Sequence, residues 1–319
     1  MNVVIPRILL DTDIGGDCDD AGALALLNIL ALRGEAELLA VTSATSRRWA
    51  PACIAAVNRY YGAGDVPIGM LETPGFLDGP GEDVYAEKAA RRFGITQPPP
   101  RVEGAVRLMR RTLADAQEKI RIAAIGPLRN LSHLLDSPPD ELSPLSGEEL
   151  LREKVEKVAV MGGVLNRPPP GAEPVYTREY NILGDIPAAQ RFIHSCPAPI
   201  TFIDFYLGEN VKTGGRLTAA GDMRHPITFI YTVHGSPRRS SWDPITVLYA
   251  VRGPDGCWTE SGPGRVTVTD DGRTEFTPVP DGRHSYLQSR LPPGAVAERI
   301  DRLLDFRPPF SCPVRAGAY

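Results

Sequence analysis

Five aspartates fall between Asp11 and Asp20, in the run Ile8-Leu9-Leu10-Asp11-Thr12-Asp13-Ile14-Gly15-Gly16-Asp17-Cys18-Asp19-Asp20. Like charges this close repel one another, so folding would protonate some of them unless a cation neutralises the group. Ligands that offer only oxygen favour a hard ion, Ca²⁺ or Mg²⁺. Helix capping by Asp19 and Asp20 is the plainer reading, because carboxylates suit a helix N-terminus. Capping accounts for one or two of these residues and not for the set. Cys18 lies among carboxylates that disfavour a thiolate, so it reads as a small packing residue and not a nucleophile.

The elements that must position this cluster follow from the patterning. An apolar run from Val3 to Leu10, broken by Pro6 and Arg7, predicts a buried strand, and Ala21 to Leu32 predicts the next helix. Further strands are expected at Ala36–Thr42, Val66–Gly69, Ile120–Ile125, Lys157–Met161 and Ile200–Phe205, with helices at Pro51–Tyr61, Val102–Gln117, after Gly126-Pro127, and at Pro187–Ile193. Such alternation implies an α/β fold, a single open and mostly parallel sheet flanked by helices. Ligands of these sheets gather beyond the carboxyl ends of the strands, where the acidic run sits. Gly75 to Asp83 reads as a loop, Ser137 to Glu149 as a surface insertion, and Arg167 to Gly171 as an exposed loop near a strand end. The C-terminal part predicts a β-hairpin over Gly264–Val279 around Asp270-Asp271-Gly272, then a helix over Val296–Leu304. No repeat or linker divides the chain, so residues 1–319 read as one domain with a β appendage.

The 319 residues carry a net charge of −4, which makes no electrostatic case for nucleic acid. The N-terminus lacks a signal-peptide layout, and no apolar run reaches the roughly 20 residues of a membrane span. A cytoplasmic protein is expected. The five cysteines are far apart and odd in number, against a disulfide framework or zinc site.

Asp11-Thr12-Asp13 after a strand has two familiar readings. A haloacid-dehalogenase-type phosphatase would use the first Asp as nucleophile, but expects Thr or Val where this chain has Gly15. The stretch better resembles the nucleoside hydrolase signature of strand, Asp-x-Asp, Gly, Asp-Asp and small apolar helix, with a slightly longer turn that suggests a divergent bacterial branch. Three later segments resemble the same family in order: Ile125-Gly126-Pro127-Leu128-Arg129-Asn130, then Met161-Gly162-Gly163 with Glu179-Tyr180-Asn181 and Asp185, then Trp242-Asp243-Pro244 before an apolar helix. Taken alone, Asn181, Asp185 and Asp243 would read as turn residues or helix caps.

The resemblance, to the inosine/uridine-preferring nucleoside hydrolases, implies a Rossmann-like nucleoside hydrolase fold and Ca²⁺-dependent cleavage of the N-glycosidic bond of a ribonucleoside or related riboside, and leaves the base open. It assigns the metal to Asp13, Asp20, the Ile125 carbonyl and Asp243, and water activation to Asp13. It assigns substrate contacts to Asp19, Glu179, Asn181, Met161 and Trp242, and a supporting role to Asp11. Asp17 has no assigned role. A homodimer or homotetramer is implied, with a small-molecule riboside as partner. Many members place a histidine just before the last Asp as general acid; here it is Trp242, which either stacks on the base or is a packed core aromatic. That leaves a ribose-binding homologue without turnover as the alternative. Trp49, Tyr85 and Tyr176 are other candidates for the base side. His234 reads more simply as structural than catalytic, and Arg47-Arg48 either attract an anionic group or are solvated.

Overall fold

The computed structural model describes residues 5–99, 101–166 and 176–309. The expected loop Arg167–Gly171, Cys312 and the start of the first strand at Val3 lie outside the described residues. Along the chain come β1 (Arg7–Thr12), α1 (Asp19–Leu32), β2 (Glu37–Ser43), α2 (Ala50–Tyr60), β3 (Ile68–Met70), α3 (Ala86–Arg92), β4 (Glu103–Gly104), α4 (Ala105–Asp115), β5 (Ile120–Ala124), α5 (Arg129–Asp136) and α6 (Gly147–Lys154). They continue as β6 (Val155–Met161), α7 (Tyr180–Gly184), α8 (Ile186–Ser195), β7 (Ile200–Ile203), α9 (Phe205–Glu209), β8 (Lys212–Thr213), α10 (Gly215–Ala220), α11 (Pro226–His234) and β9 (Arg239–Ser240). The last elements are α12 (Trp242–Arg252), β10 (Trp258–Glu260), β11 (Gly264–Val268), β12 (Thr274–Pro278), β13 (His284–Ser289) and α13 (Pro293–Leu304).

One large sheet runs in the order β12-β11-β13-β7-β6-β5-β1-β2-β3-β4, with β10 added to β13. From β4 to β13 all neighbours are parallel, and the hairpin β11–β12 is antiparallel. The expected open, mostly parallel sheet and the C-terminal hairpin are therefore both present. The chain leaves β1 towards β2 on one side and returns to β5 on the other, so the order reverses at β1. A crevice opens there beyond the strand ends. Side chains alternate across the sheet: Ile8 and Leu10 pack with α1, α2, α12 and α13, while Leu9 packs with α4, α5, α6 and α8. Helix α1 is buried from Asp19 to Leu30, which explains why it reads as apolar on all sides.

Several boundaries move for identifiable reasons. The strand expected to reach Phe205 stops at Ile203, because the Asp204 carboxylate accepts the Leu207 amide at 3.1 Å and starts α9. The helix expected from Val102 starts at Ala105, since Glu103-Gly104 pair with β3. Ser137–Glu149 lies at the surface as expected and is tied down: buried Arg110 makes two 2.8 Å hydrogen bonds to Asp140, and Ser146 forms a capping box with Glu149 at the start of α6. The short elements α3 and those between Phe205 and Ser240 were not expected, being too brief to show a hydrophobic period.

Candidate functional site

β1 delivers Asp11 inward at its last turn of the pleat and Asp13 just past its end. Asp11 is fully buried, and its Oδ1 accepts hydrogen bonds from Thr42 (2.6 Å) and Asn130 (2.8 Å). It thereby ties β1 to β2 and to the start of α5. A nucleophile for phosphate needs exposure that Asp11 lacks, so the phosphatase reading loses its key residue. Gly126, opposite on the β5 side, allows the chains to close: a Cβ there would lie 2.9 Å from the Asp13 amide nitrogen.

Asp19 and Asp20 open α1 but do not cap it; the N-cap is Cys18, with no side-chain cap bond. Asp20 accepts the Thr12 hydroxyl at 2.5 Å, and Asp19 accepts the Asp243 amide at 3.2 Å. Asp243 arrives from the first turn of α12, where the N-cap position is Ser241 and not Asp243. Carboxylate oxygens of Asp19, Asp20 and Asp243 all lie within 4.8 Å of one another. Burial, then the neighbouring carboxylates, hold Asp20 and Asp243 well above the ordinary carboxylate range; for Asp19, burial and Asp17 do the same. Asp13 is pushed up to about 6 by burial, against the pull of Arg47. The protein's own cations thus leave this group of buried charges under-compensated. An oxygen-only donor set short of positive charge fits a hard divalent cation.

The ribose-side candidates come from β6 and α7. Glu179 caps α7 by accepting the amides of Asn181 (2.8 Å) and Ile182 (3.1 Å), and it also accepts the Gly163 amide at 3.2 Å. Gly163 sits at φ +84°, a left-handed turn that presents that amide. Burial raises Glu179 to about 7. Asn181 donates to the carbonyls of Ile125 (3.4 Å) and Met161 (3.2 Å), linking the ends of β5 and β6. Asp185 caps α8 and pairs with Arg129, as a structural residue.

One cavity of about 730 Å³ is lined by Asp13, Asp19, Asp20, Ile125, Met161, Glu179, Asn181, Trp242 and Asp243, together with residues of the 205–242 region; Asp11 and Asp185 do not line it. Trp242 is both cavity wall and packed residue: its indole N–H donates to the Phe205 carbonyl at 2.8 Å, and the Arg239 guanidinium lies 5.1 Å from its ring centroid. Tyr176 also lines the cavity, whereas Tyr85 is fully buried and braces the acidic turn, accepting from the Gly15 amide (3.0 Å) and donating to the Asp17 carbonyl (2.8 Å). Trp49 is buried away from the cavity under Arg91.

Sequence reasoning left several participants without their place. Asp17 forms an ion pair with Arg239, 222 positions later, with Nε 2.8 Å from Oδ1. Arg47 is buried, donates to the Asp13 carbonyl, and pairs with Glu82 at 3.0 Å; a Cβ on Gly16 would lie 3.0 Å from its Nη2. The lengthened glycine turn and Arg47 therefore fit each other, while Arg48 is exposed. Phe205 and Tyr180 join the cavity wall as aromatic residues. Only the adjacent glycines hinted at any of this, by marking a close approach.

Comparisons with known proteins bear on the family and the fold. The chain is 29% identical over 157 residues to the pyrimidine-specific ribonucleoside hydrolase RihA of Citrobacter koseri, covering 47% of each chain. It thus spans about half the length of that curated relative. Its fold is similar to the inosine-uridine preferring nucleoside hydrolase of Bacillus anthracis, at a TM-score of 0.67 and 19% identity over 94% of this chain and 99% of that one. It is also similar to the plant nucleoside hydrolase PpNRh1, at a TM-score of 0.66 and 18% identity over 95% of this chain and 98% of that one. The sequence model of inosine-uridine preferring nucleoside hydrolases matches residues 8–302, and with that coverage the chain belongs to this family.

Proposed function

We propose that this protein hydrolyses the N-glycosidic bond of a ribonucleoside or related riboside in a Ca²⁺-dependent reaction. The observation that carries the reading is the convergence of Asp13, Asp19, Asp20 and Asp243 with Glu179 and Asn181 on one cavity at the β1/β5 reversal. Asp13, Asp20, the Ile125 carbonyl and Asp243 would hold the ion, which supplies Lewis acidity and neutralises the cluster. Asp13 accepts the proton of the attacking water as general base. Asp19, Glu179 and Asn181 hold ribose hydroxyls, and Met161 lines the sugar. As the bond to the base breaks, positive charge grows on the ribose, and the surrounding carboxylates stabilise it. Asp11 keeps β1 and the turn in register without touching substrate.

The same reading takes residues 1–319 as one domain, since strands of a single sheet come from both ends of the described chain. It also includes a homodimer or homotetramer, which sedimentation would size, and a cytoplasmic location; among the described residues no helix is long and apolar enough to cross a membrane. The test is base release from inosine, uridine and other nucleosides with Ca²⁺ and with chelator. Release that needs Ca²⁺ supports the reading. Calcium-dependent ribose binding without release would favour the non-hydrolytic homologue.

A further inference from the structure

We infer that His234 is the acid that protonates the departing base, an inference that rests on the hydrolase reading. Cleaving an N-glycosidic bond leaves an electron pair on a base nitrogen that needs a proton. The indole of Trp242 cannot supply one. Arg239, which lines the cavity with Tyr176 and Glu209, does not release a proton near neutral pH, and Lys212 donates to the Ser240 hydroxyl at 2.6 Å. His234 is the imidazole that lines the cavity among the described residues.

Its placement fits the task. It is the last residue of α11, where the helix dipole favours a protonated ring. Its side chain is 17% exposed, and Nε2 lies 3.9 Å from Asp17 Oδ1. Nδ1 is buried, and a hydrogen bond to the Gly16 backbone favours the protonated ring. The neighbours are the Asp17 carboxylate and Cys18 thiol of the acidic turn, the Tyr85 ring at 6.4 Å and the Arg239 guanidinium. Burial keeps both the thiol and the phenol protonated. For the imidazole, burial lowers the pKa, Asp17 raises it and Arg239 lowers it. Asp17 and Arg239 also connect the ring to Trp242, so the acid and the aromatic belong to one linked part of the cavity lining.

The step balances. The C1′–N bond breaks with its pair going to the base nitrogen, which takes a proton from the His234 imidazolium. Water bonds to C1′ and gives its proton to Asp13. Solvent then restores both side chains, and the products are the free base and ribose.

The test compares leaving groups in the Ca²⁺-loaded enzyme. For His234→Gln, kcat on inosine or uridine should fall by about 10²- to 10⁴-fold, whereas p-nitrophenyl riboside, whose phenolate leaves without a proton, should lose far less. The nitrophenyl rate also reports that the variant is folded. Asp17→Asn should move the alkaline limb of the nucleoside pH profile to lower pH. Equal losses on both substrates, no loss on nucleosides, an unmoved limb, or a wild type that cleaves only the nitrophenyl riboside would each overturn the role. A wild type that cleaves neither removes the hydrolase reading and this inference with it.

Discussion

The floor of the cavity and its outer wall are built differently. The floor is set by strand ends: Asp13 follows β1, Ile125 follows β5, Met161 ends β6, and each is buried. The wall comes from short elements between Phe205 and Trp242, and its polar contacts are partly exposed; in the Asp17–Arg239 pair both side chains are about one-third accessible. Buried carboxylates are concentrated on the floor, where the end of β1 meets the first turns of α1 and α12, while Trp242, Phe205 and the partly exposed Arg239 stand on the wall. In the proposed reaction the floor would take the sugar and the wall the base.

The strongest way to break this division is to remove floor charge. Asp13→Asn should lower kcat by about 10²- to 10⁴-fold with the fold intact, measured by base release and circular dichroism. A variant that keeps most of its rate would mean the floor is structural only. Next is Arg47→Ala, which leaves the Asp13 region without its buried cation. It should destabilise the protein by about 3–5 kcal/mol in urea titrations; a change near zero would place Arg47 with the wall.

Acidity sharpens the same contrast. Asp11 and Glu179 titrate near 7 and Asp13 near 6 in the folded, metal-free protein, against about 4 when unfolded. These raised carboxyls contribute stability at low pH that is lost as pH rises through the folded values. Buried His225 and His284, lowered to about 3 and 4, work the other way below about 6.5. The carboxyls outnumber them, so with chelator the melting temperature should rise as pH falls from 8 to 6. The increment added by Ca²⁺ should be largest at pH 8 and shrink on acidification, because ligands must be deprotonated. A Ca²⁺ increment independent of pH would contradict the buried-charge account. The smallest effect is expected on the wall: Arg239→Ala should cost less than about 1 kcal/mol in thermal melts, since the pair is partly exposed. It should nonetheless change the ratio of kcat/KM between purine and pyrimidine nucleosides.

Legibility in the sequence follows the same line. Strands β1, β5 and β6 and helix α1 carry long apolar patterns, so their ends, and the carboxylates placed there, can be located without coordinates. Trp242 and His234 could be noticed but not placed, because they stand at helix ends, the start of α12 and the end of α11, whose surroundings come from distant segments such as Phe205 and Asp17. Tyr85 shows the limit well: its loop position suggested a base contact, yet burial turns it into a brace for Gly15 and Asp17.

Residue order by itself determined that a carboxylate group would stand at the carboxyl end of a parallel sheet, because hydrophobic period and glycine turns are local properties. It also carried the family, because the motifs recur in order. Only the tertiary structure decided that Asp243 would close on Asp19 and Asp20, that Asp17 would find Arg239 across 222 positions, and that Arg47 would lie beneath Gly16. Those are contacts between distant segments, set by how helices pack on the sheet, and no local pattern encodes them.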